Sequence, residues 1–359
     1  MEKWETIKHT IQLHKKERWT DQYDALLHDF DMPTGRVNQL AQSDNEDVSN
    51  AAVWHQLVLD RYNVRRDYNN VVSIKLVIPS YCQAKCRFCF MNTYEHMEHD
   101  QDLFLMRYLD SLGDVVNALY GKHPISLDIT GNEPTFTPDL LRKVLRGLKQ
   151  SRWLDKINRV VMTTNGYNLD EVIDDLVGVV NYVNISTHHY DIDERRIIFG
   201  TWRIPDDAQL HKMVVRLLAA GIRTSTVAVI YRPMDDFPKF VEEYIRWADG
   251  IGFESVRFRG DCSTGGFAPT FNQYIADVKG TGKYTVIQEE HTNDSHWCRL
   301  VDGEGHFFFM LQGVPSTYEC SRGIEYIISD DGLPYLDYYK HHPFRENRLP
   351  VGYIFDIKK

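Results

Sequence analysis

The chain has 359 residues, of which 43% are hydrophobic and 12% aromatic, and this composition excludes intrinsic disorder as its main state. Its 51 Asp and Glu against 41 Lys and Arg give a formal net charge of −10, which argues against a long nucleic acid as a partner. Neither a run of 18 apolar residues nor the apolar core of a signal peptide is found in the sequence. We therefore expect a cytoplasmic protein without a membrane span, whose six cysteines are free thiols or metal ligands.

The pattern of residues 1–70 predicts a helical N-terminal extension. Apolar residues recur there at helical spacing in two short segments, one beginning at Trp4 and the other at Tyr23. A polar loop follows at 43–47. Because this region carries no motif that suggests chemistry, we expect it to pack on the outside of the domain that follows.

Three of the six cysteines lie within eight positions, at Cys82, Cys86 and Cys89. The preceding segment, 73–80, is predicted to be a strand, which places the three thiols on the loop at its end. Thiolates so close together favour a soft metal ion or an iron–sulfur cluster. A structural zinc site and a cubane cluster each normally take four protein ligands, so three thiolates leave one metal position open. A zinc site completed by His96 or by a distant cysteine is the alternative.

The Cys-x3-Cys-x2-Cys spacing, with Phe88 directly before the last cysteine, resembles the signature loop of radical S-adenosylmethionine (SAM) enzymes. The resemblance implies that Cys82, Cys86 and Cys89 hold a 4Fe-4S cluster, whose fourth iron is chelated by the amino and carboxylate groups of SAM. It also implies reductive cleavage of SAM to a 5′-deoxyadenosyl radical that abstracts hydrogen from a substrate. We expect an electron donor such as flavodoxin or ferredoxin as a partner.

Beyond the cysteines the sequence alternates between strand and helix patterns. Five further strands are predicted, at 124–130, 158–164, 181–187, 224–231 and 254–259, and each except the last is followed by a segment of helical period. This alternation is typical of an α/β fold in which helices connect the strands of a parallel sheet. The family resemblance implies a partial (β/α)6 TIM-like barrel over residues 71–260, with its chemistry at the carboxyl ends of the strands.

The end of the second predicted strand carries the most specific of the remaining motifs. Gly131, Asn132, Glu133 and Pro134 resemble the Gly-Gly-Glu-Pro motif that binds the amino group of SAM in the family. Asn132 departs from the second glycine, which puts the close approach of the backbone there in doubt. An ordinary turn between a strand and a helix is the alternative interpretation.

Two later strand ends supply further candidates by resemblance. Thr163 and Asn165 match a third-strand ending that lines the SAM site, although an Asn-Gly turn alone would look the same. Ser186 matches the fourth-strand serine that bonds the ribose or the carboxylate of SAM. About ten residues further on, Arg196 or its neighbour Arg195 matches a carboxylate-binding arginine, and we favour Arg196.

Histidines and arginines near the same strand ends are candidates for contacts with the substrate. His188 and His189 depart from the acidic residue that is common in the family, and they could exchange protons with a substrate. A structural hydrogen bond is the alternative role for each histidine. Arg257 and Arg259 alternate along the sixth strand, where they could bind an anionic substrate or form salt bridges.

Residues 261–359 are expected to form an α+β extension that covers the substrate. The alternation of strands and helices stops there, after a flexible joint at 263–266, and strands are predicted at 306–311 and 325–329 with a tight turn at 330–332. Cys262, Cys298 and Cys320 lack the paired spacing of a second cluster site, so we expect buried inert thiols. Ligands of a second cluster, or a thiol that donates hydrogen to a substrate radical, are the alternatives.

The sequence therefore predicts a radical SAM enzyme that acts on a small molecule or a nucleotide. A peptide-modifying maturase is the alternative within the family. A non-catalytic iron–sulfur or zinc protein is the alternative of another class.

Overall fold

The computed structural model describes residues 72–89, 91, 101–120, 125–261, 268–291, 295–313, 325–328 and 334–335. The predictions made for residues 1–70, for the 263–266 joint and for the 330–332 turn lie outside these residues, as do His96, Cys262 and Cys320. Every helix in the described ranges is too short or too polar to cross a lipid bilayer.

The described residues contain both strands and helices along their whole length. The strands are β1 Val72–Ile78, β2 Ile125–Gly131, β3 Arg159–Thr164, β4 Tyr182–Ser186, β5 Arg223–Ile230, β6 Ser255–Gly260, β7 Thr285–His291, β8 Ser295–Val301, β9 Phe307–Gly313, β10 Glu325–Ile328 and β11 Pro334–Tyr335. The helices are α1 Gln101–Leu119, α2 Pro138–Gln150, α3 Ile173–Leu176, α4 Ile192–Phe199, α5 Asp207–Ala219, α6 Phe237–Ile251 and α7 Ala268–Gly280.

The six predicted strands of residues 71–260 are confirmed as β1 to β6, with ends that differ by at most two residues. The predicted α/β class with a parallel sheet is confirmed as well. The division of the chain into 1–70, 71–260 and 261–359 stays a prediction. In the structure the described residues fall into two compact units, of which one is made of 72–186, 192–206, β10 and β11, and the other of 187–191 and 207–313.

The unit that contains Cys82, Cys86 and Cys89 has a sheet with the strand order β11-β10-β1-β2-β3-β4. Strands β10, β1, β2, β3 and β4 run parallel to one another, and β11 runs antiparallel to β10. Helix α2 shows why the connections are helical, because its residues at spacings of three and four are all buried: Leu140, Leu141, Val144, Leu145 and Leu148. The parallel arrangement brings the carboxyl ends of β1 to β4 to one edge of the sheet.

The other unit is a sheet in the order β5-β6-β9-β8-β7. Strands β5, β6 and β9 are parallel, and β8 runs antiparallel to both of its neighbours. Helix α7 was missed by the sequence pattern, although its buried Phe271, Tyr274, Ile275 and Val278 follow helical spacing. The alternation of strands and helices therefore continues past residue 260, contrary to the prediction.

Gly131 ends β2 at the point where the strand lies directly against β1, opposite Ile78. Its φ is +129°, and an added Cβ would lie 2.8 Å from the carbonyl oxygen of Ile78. Both facts require glycine, so we expect Gly131→Ala to lower the free energy of unfolding by about 1–3 kcal/mol. Denaturant titration measures this change.

Gly250→Ala is the matched control, because Gly250 lies in helix α6 and an added Cβ there would meet nothing within 4 Å. We expect this variant to be unchanged or slightly stabilised, by at most about 1 kcal/mol. Equal stability of the two alanine variants would contradict the constraint at Gly131.

Candidate functional site

The cysteine loop, residues 82–89, follows β1 and is tied to the end of β2. Ser80, which lies between β1 and the loop, is buried, and its carbonyl oxygen accepts a hydrogen bond of 2.9 Å from the Asn132 side chain. Within the loop, the Cys89 amide donates to the Cys86 carbonyl at 3.1 Å. Asn132, the departure from the family motif, therefore positions the backbone at the start of the loop.

Asn165 at the end of β3 contacts the first cysteine directly. Its Nδ2 lies 3.6 Å from Cys82 Sγ, and the Ala84 amide lies 3.4 Å from the same sulfur. The Gln83 side chain orients the Asn165 side-chain amide by donating to Asn165 Oδ1 at 2.9 Å. Gln83 also donates to the Arg203 carbonyl at 3.1 Å. Gln83 was not predicted as a site residue, since its place between two cysteines was the only available signal.

The three thiols share one apolar cluster. Cys86 is buried, and Cys82 and Cys89 pack with it against a set of apolar side chains: Ala84, Phe88, Ile192, Phe199 and Ile204. Burial, with a smaller contribution from the neighbouring cysteines, raises the pKa of Cys82 and of Cys86 to about 12. A raised pKa means that the buried thiolate is costly to form. A bound metal cation would offset the free-energy cost of forming it, because ligation stabilises the deprotonated thiol.

The donor set fits an iron–sulfur cluster. Three sulfur ligands in apolar surroundings, with N–H donors directed at one of them, are what such clusters use. Among the described residues, no group of three or more His, Cys, Asp and Glu side chains, the three thiols included, is spaced to hold a single metal ion. A cluster bonds each thiol through a different iron, so its ligands stand farther apart than those of one ion.

Glu133 occupies the centre of a buried hydrogen-bond cage. Its Oε1 accepts from the Thr135 amide at 3.1 Å, from Thr135 Oγ1 at 2.6 Å and from Thr164 Oγ1 at 2.5 Å. Its Oε2 accepts from the Asn165 amide at 2.6 Å. Burial raises the pKa of Glu133, and these hydrogen bonds oppose that effect. The carboxylate is thus used inside the protein, where it joins the ends of β2 and β3, and Pro134 beside it is buried.

The remaining predicted SAM ligands of this unit differ in exposure. Thr163 of β3 lies opposite Asn184 of β4, and Asn184 Nδ2 donates to Thr163 Oγ1 at 3.4 Å. Both residues are half-buried, as is Ser186 at the end of β4. Arg196 of α4 is half-buried and forms a 3.0 Å ion pair with Asp193. Arg195, the alternative, is only 1% exposed. The structure therefore places polar groups at the ends of three strands. The two candidate arginines differ in burial, since Arg195 is fully buried and Arg196 only half-buried.

His188 belongs to the other unit and is held by strand β5. Its φ is +64°, its amide donates to the Val227 carbonyl at 3.2 Å, and its Nδ1 accepts from the Val229 amide at 3.1 Å. Burial lowers the pKa of His188 to about 3, so the ring is neutral near pH 7. This geometry gives the ring a structural hydrogen bond and leaves the predicted proton transfer as a prediction.

His189 lines a cavity of about 490 Å³ in the same unit. Its ring centroid lies 4.5 Å from that of Tyr190 and 5.3 Å from that of Phe240. Its Nδ1 accepts from the Asp191 amide at 2.9 Å. The hydroxyl of the neighbouring Tyr190 donates a hydrogen bond to Glu243. The cavity is therefore lined by both aromatic and charged side chains.

The low pKa of His188 predicts acid sensitivity. The unfolded chain takes up a proton at this residue as the pH falls below about 6.5, whereas the folded chain does not until about pH 3. The stability contributed by neutral His188 is therefore present above pH 6.5 and declines by up to about 1.4 kcal/mol per pH unit below it. We expect His188→Asn, which tolerates a positive φ, to flatten this decline in denaturant titrations between pH 4.5 and 7.5.

His189→Asn is the control, since this half-buried neighbour should leave the acid sensitivity in place. A pH dependence that is the same in His188→Asn as in the parent chain would show that His188 is protonated in the fold.

Comparisons with known proteins agree with this geometry. Residues 76–244, from β1 to within α6, match the sequence model of the Radical SAM superfamily. GTP 3′,8-cyclase of Actinobacillus succinogenes is 27% identical over 173 residues, which cover 47% of this chain and 48% of the relative. GTP 3′,8-cyclase of Actinobacillus pleuropneumoniae is 25% identical over 192 residues, which cover 53% and 52%. The chain therefore spans about half the length of the curated relatives that it matches.

A solved structure shows that the fold is similar over a longer stretch. Streptococcus suis SuiB, crystallised with S-adenosylmethionine, superposes with a TM-score of 0.52 and 12% identity over 90% of this chain and 73% of SuiB. The segment matched by the family includes the cysteine loop and the ends of β1 to β4, where the sulfur donors and polar groups lie. Residues 76–244, just under half of the chain, therefore carry the sequence of a Radical SAM superfamily domain.

Proposed function

We propose that this protein binds a 4Fe-4S cluster through Cys82, Cys86 and Cys89 and reductively cleaves SAM to abstract hydrogen from a small-molecule or nucleotide substrate. The observation that carries the proposal is that three thiols share one apolar cluster at the end of β1, with two N–H groups directed at Cys82. When bound, the 4Fe-4S cluster supplies the single electron that splits the sulfonium of SAM into methionine and a 5′-deoxyadenosyl radical.

The residues around the thiols have separate tasks in this proposal. Phe88 packs in the same cluster as the cysteines and keeps water from them. Asn165 donates an N–H to Cys82, a contact of the kind that tunes sulfur ligands, and Gln83 fixes the direction of that donor. Glu133 fixes the Asn165 backbone, so it acts as a positioning residue.

The SAM contacts are proposed for the strand ends of the same unit. Gly131 and Asn132 are half-buried at the end of β2, and Thr163 and Ser186 are half-buried at the ends of β3 and β4. Carbonyl, hydroxyl and amide groups in such positions suit the amino, carboxylate and ribose groups of SAM. Arg196 would have to exchange its surface ion pair with Asp193 for the SAM carboxylate.

A row of side chains on the other unit supports an anionic substrate. Strand register places Phe309 of β9 between Arg257 of β6 and Arg299 of β8. The two guanidinium carbons lie 5.3 Å and 4.7 Å from the centroid of the Phe309 ring. The next residue, Phe258, packs against α6, so the row faces away from that helix.

Guanidinium groups stacked on an aromatic ring use their faces and direct their donors along their edges, which suits phosphate or carboxylate. The curated relatives named GTP 3′,8-cyclase are named for a nucleotide substrate, which agrees with this preference. We therefore assign a nucleotide or a small anionic molecule as the substrate class.

Cleavage of SAM is tested by anaerobic reconstitution with iron and sulfide, followed by dithionite and SAM. We expect chromatography to detect 5′-deoxyadenosine, and we expect Cys82→Ala, Cys86→Ala and Cys89→Ala each to reduce it to the level of cluster-free protein. Cys298→Ala is the control, because Cys298 is buried in β8 of the other unit and should keep both iron and product. Bound zinc instead of iron, with no 5′-deoxyadenosine, would overturn the proposal.

A further inference from the structure

The cavity that His189 lines is a further candidate binding site, in the unit made of 187–191 and 207–313. Its lining comes from His189, from Tyr190 and from the segment 232–243, which forms the turn after β5 and the first two turns of α6. Its volume of about 490 Å³ lies within the roughly 300–1,000 Å³ of small-molecule sites. The cavity therefore has the size of a ligand site, and it lies beside the carboxyl end of a parallel strand, where α/β folds bind ligands.

Hydrogen bonds hold both parts of the lining in place. His188 anchors the residues that follow it to strand β5, through its amide and its ring. The Met234 amide donates to the Tyr274 hydroxyl at 2.6 Å, and the Asp236 side chain caps helix α6. The cavity is therefore preformed, and a ligand that enters it does not have to order a loop, which would weaken binding.

Three aromatic side chains form one wall of this cavity. The ring centroids of His189, Tyr190 and Phe240 lie between 4.5 and 5.7 Å from one another. Phe240 is buried, and the Tyr190 hydroxyl is held by its hydrogen bond to Glu243. Such a wall favours an aromatic ring in the ligand, because offset and edge-to-face contacts between rings add to the gain from burying apolar area.

The exposed part of the lining carries charges of both signs. Asp235 and Arg232 are both exposed, and within the described part of the chain Asp235 forms neither a hydrogen bond nor an ion pair. Lys239 and Glu243, by contrast, lie 3.8 Å apart and largely neutralise each other. The cavity therefore offers a carboxylate to a positive group and a guanidinium to a carboxylate.

An anion alone suits this cavity less well than a ligand with both charges. Three carboxylates and two cations line it. The start of α6 adds little attraction for an anion, because the Asp236 carboxylate already caps the helix and Pro238 has no N–H to donate. The lining thus differs from the arginine row of β6 and β8, and it matches a ligand that carries an ammonium, a carboxylate and a ring.

We propose that this cavity binds a free aromatic α-amino acid. Asp235 receives the ammonium group, Arg232 receives the carboxylate, and the ring lies against the wall of His189, Tyr190 and Phe240. A residue inside a polypeptide lacks both of these charges, so the site takes the free amino acid. This ligand is separate from the anionic substrate of the proposed function, and its binding requires neither a cluster nor SAM.

The first test compares probes by calorimetry on the reconstituted full chain, without reductant. The probes are L-phenylalanine, L-tyrosine and L-tryptophan, together with phenethylamine, which lacks the carboxylate, 3-phenylpropionate, which lacks the ammonium, and N-acetyl-L-phenylalaninamide, which lacks both charges. We expect at least one of the amino acids to bind about tenfold or more tightly than each of the three truncated probes. Binding of a truncated probe as tight as that of the amino acids, or no binding of any amino acid at millimolar concentration, would overturn the proposal.

The second test places the ligand in the cavity. We expect Asp235→Asn and Arg232→Gln each to weaken binding of the amino acid by about tenfold, because each removes one charged partner. The control variants are Asp277→Asn and Arg246→Gln, which make the same changes at exposed residues of this unit outside the lining. Equal affinities in the cavity and control variants would show that the amino acid binds elsewhere and would overturn the proposal. Formation of 5′-deoxyadenosine is not part of either test, so failure of this proposal and failure of the proposed function are distinguished.

Discussion

The buried carboxylate of Glu133 is the interaction on which the candidate site depends. It is 1% exposed and accepts four hydrogen bonds from Thr135, Thr164 and Asn165, which belong to the ends of two neighbouring strands. An unsatisfied buried acceptor costs about 1–3 kcal/mol for each lost hydrogen bond, and more where the group is charged. The cage therefore locks the end of β3 against the end of β2 and gives Asn165 one backbone position.

That position carries consequences for the sulfur ligands. The Asn165 side chain contacts Cys82 Sγ, while the Asn165 backbone N–H donates to Glu133. Asn165 therefore connects the Glu133 hydrogen-bond cage to the cysteine loop. Gly131 and Asn132 make the second link, through the Ile78 and Ser80 backbone. The buried thiols have raised pKa values without a metal, and so this rigid surrounding suits ligands that are deprotonated only when a metal is bound.

The sequence predicted the strands well because period and composition are local properties. It also identified the three thiols as a group, which the structure places in one apolar cluster, and their role as cluster ligands stays a prediction. It did not predict the buried hydrogen bonds of Glu133, because a motif shows which residue is present and not how its side chain is bonded inside the protein. The predicted contact of Glu133 with SAM stays a prediction. Thr135 and Thr164 escaped notice for the same reason, as their hydroxyls matter only once β2 and β3 are neighbours.

Non-local pairing was the other limit. The parallel pairing of β10 with β1 joins residues about 250 positions apart, and nothing in either segment indicates the partner. Helix α7, by contrast, was readable from its own spacing and was missed after a glycine-rich segment.

The central claim is that three thiols hold a cluster with one iron left for SAM. Electron paramagnetic resonance of the reduced, reconstituted chain, recorded with and without SAM, tests it most directly. The account predicts the signal of a reduced 4Fe-4S cluster whose g values shift when SAM is added. A signal that SAM leaves unchanged, or a chain that binds no iron, would contradict it.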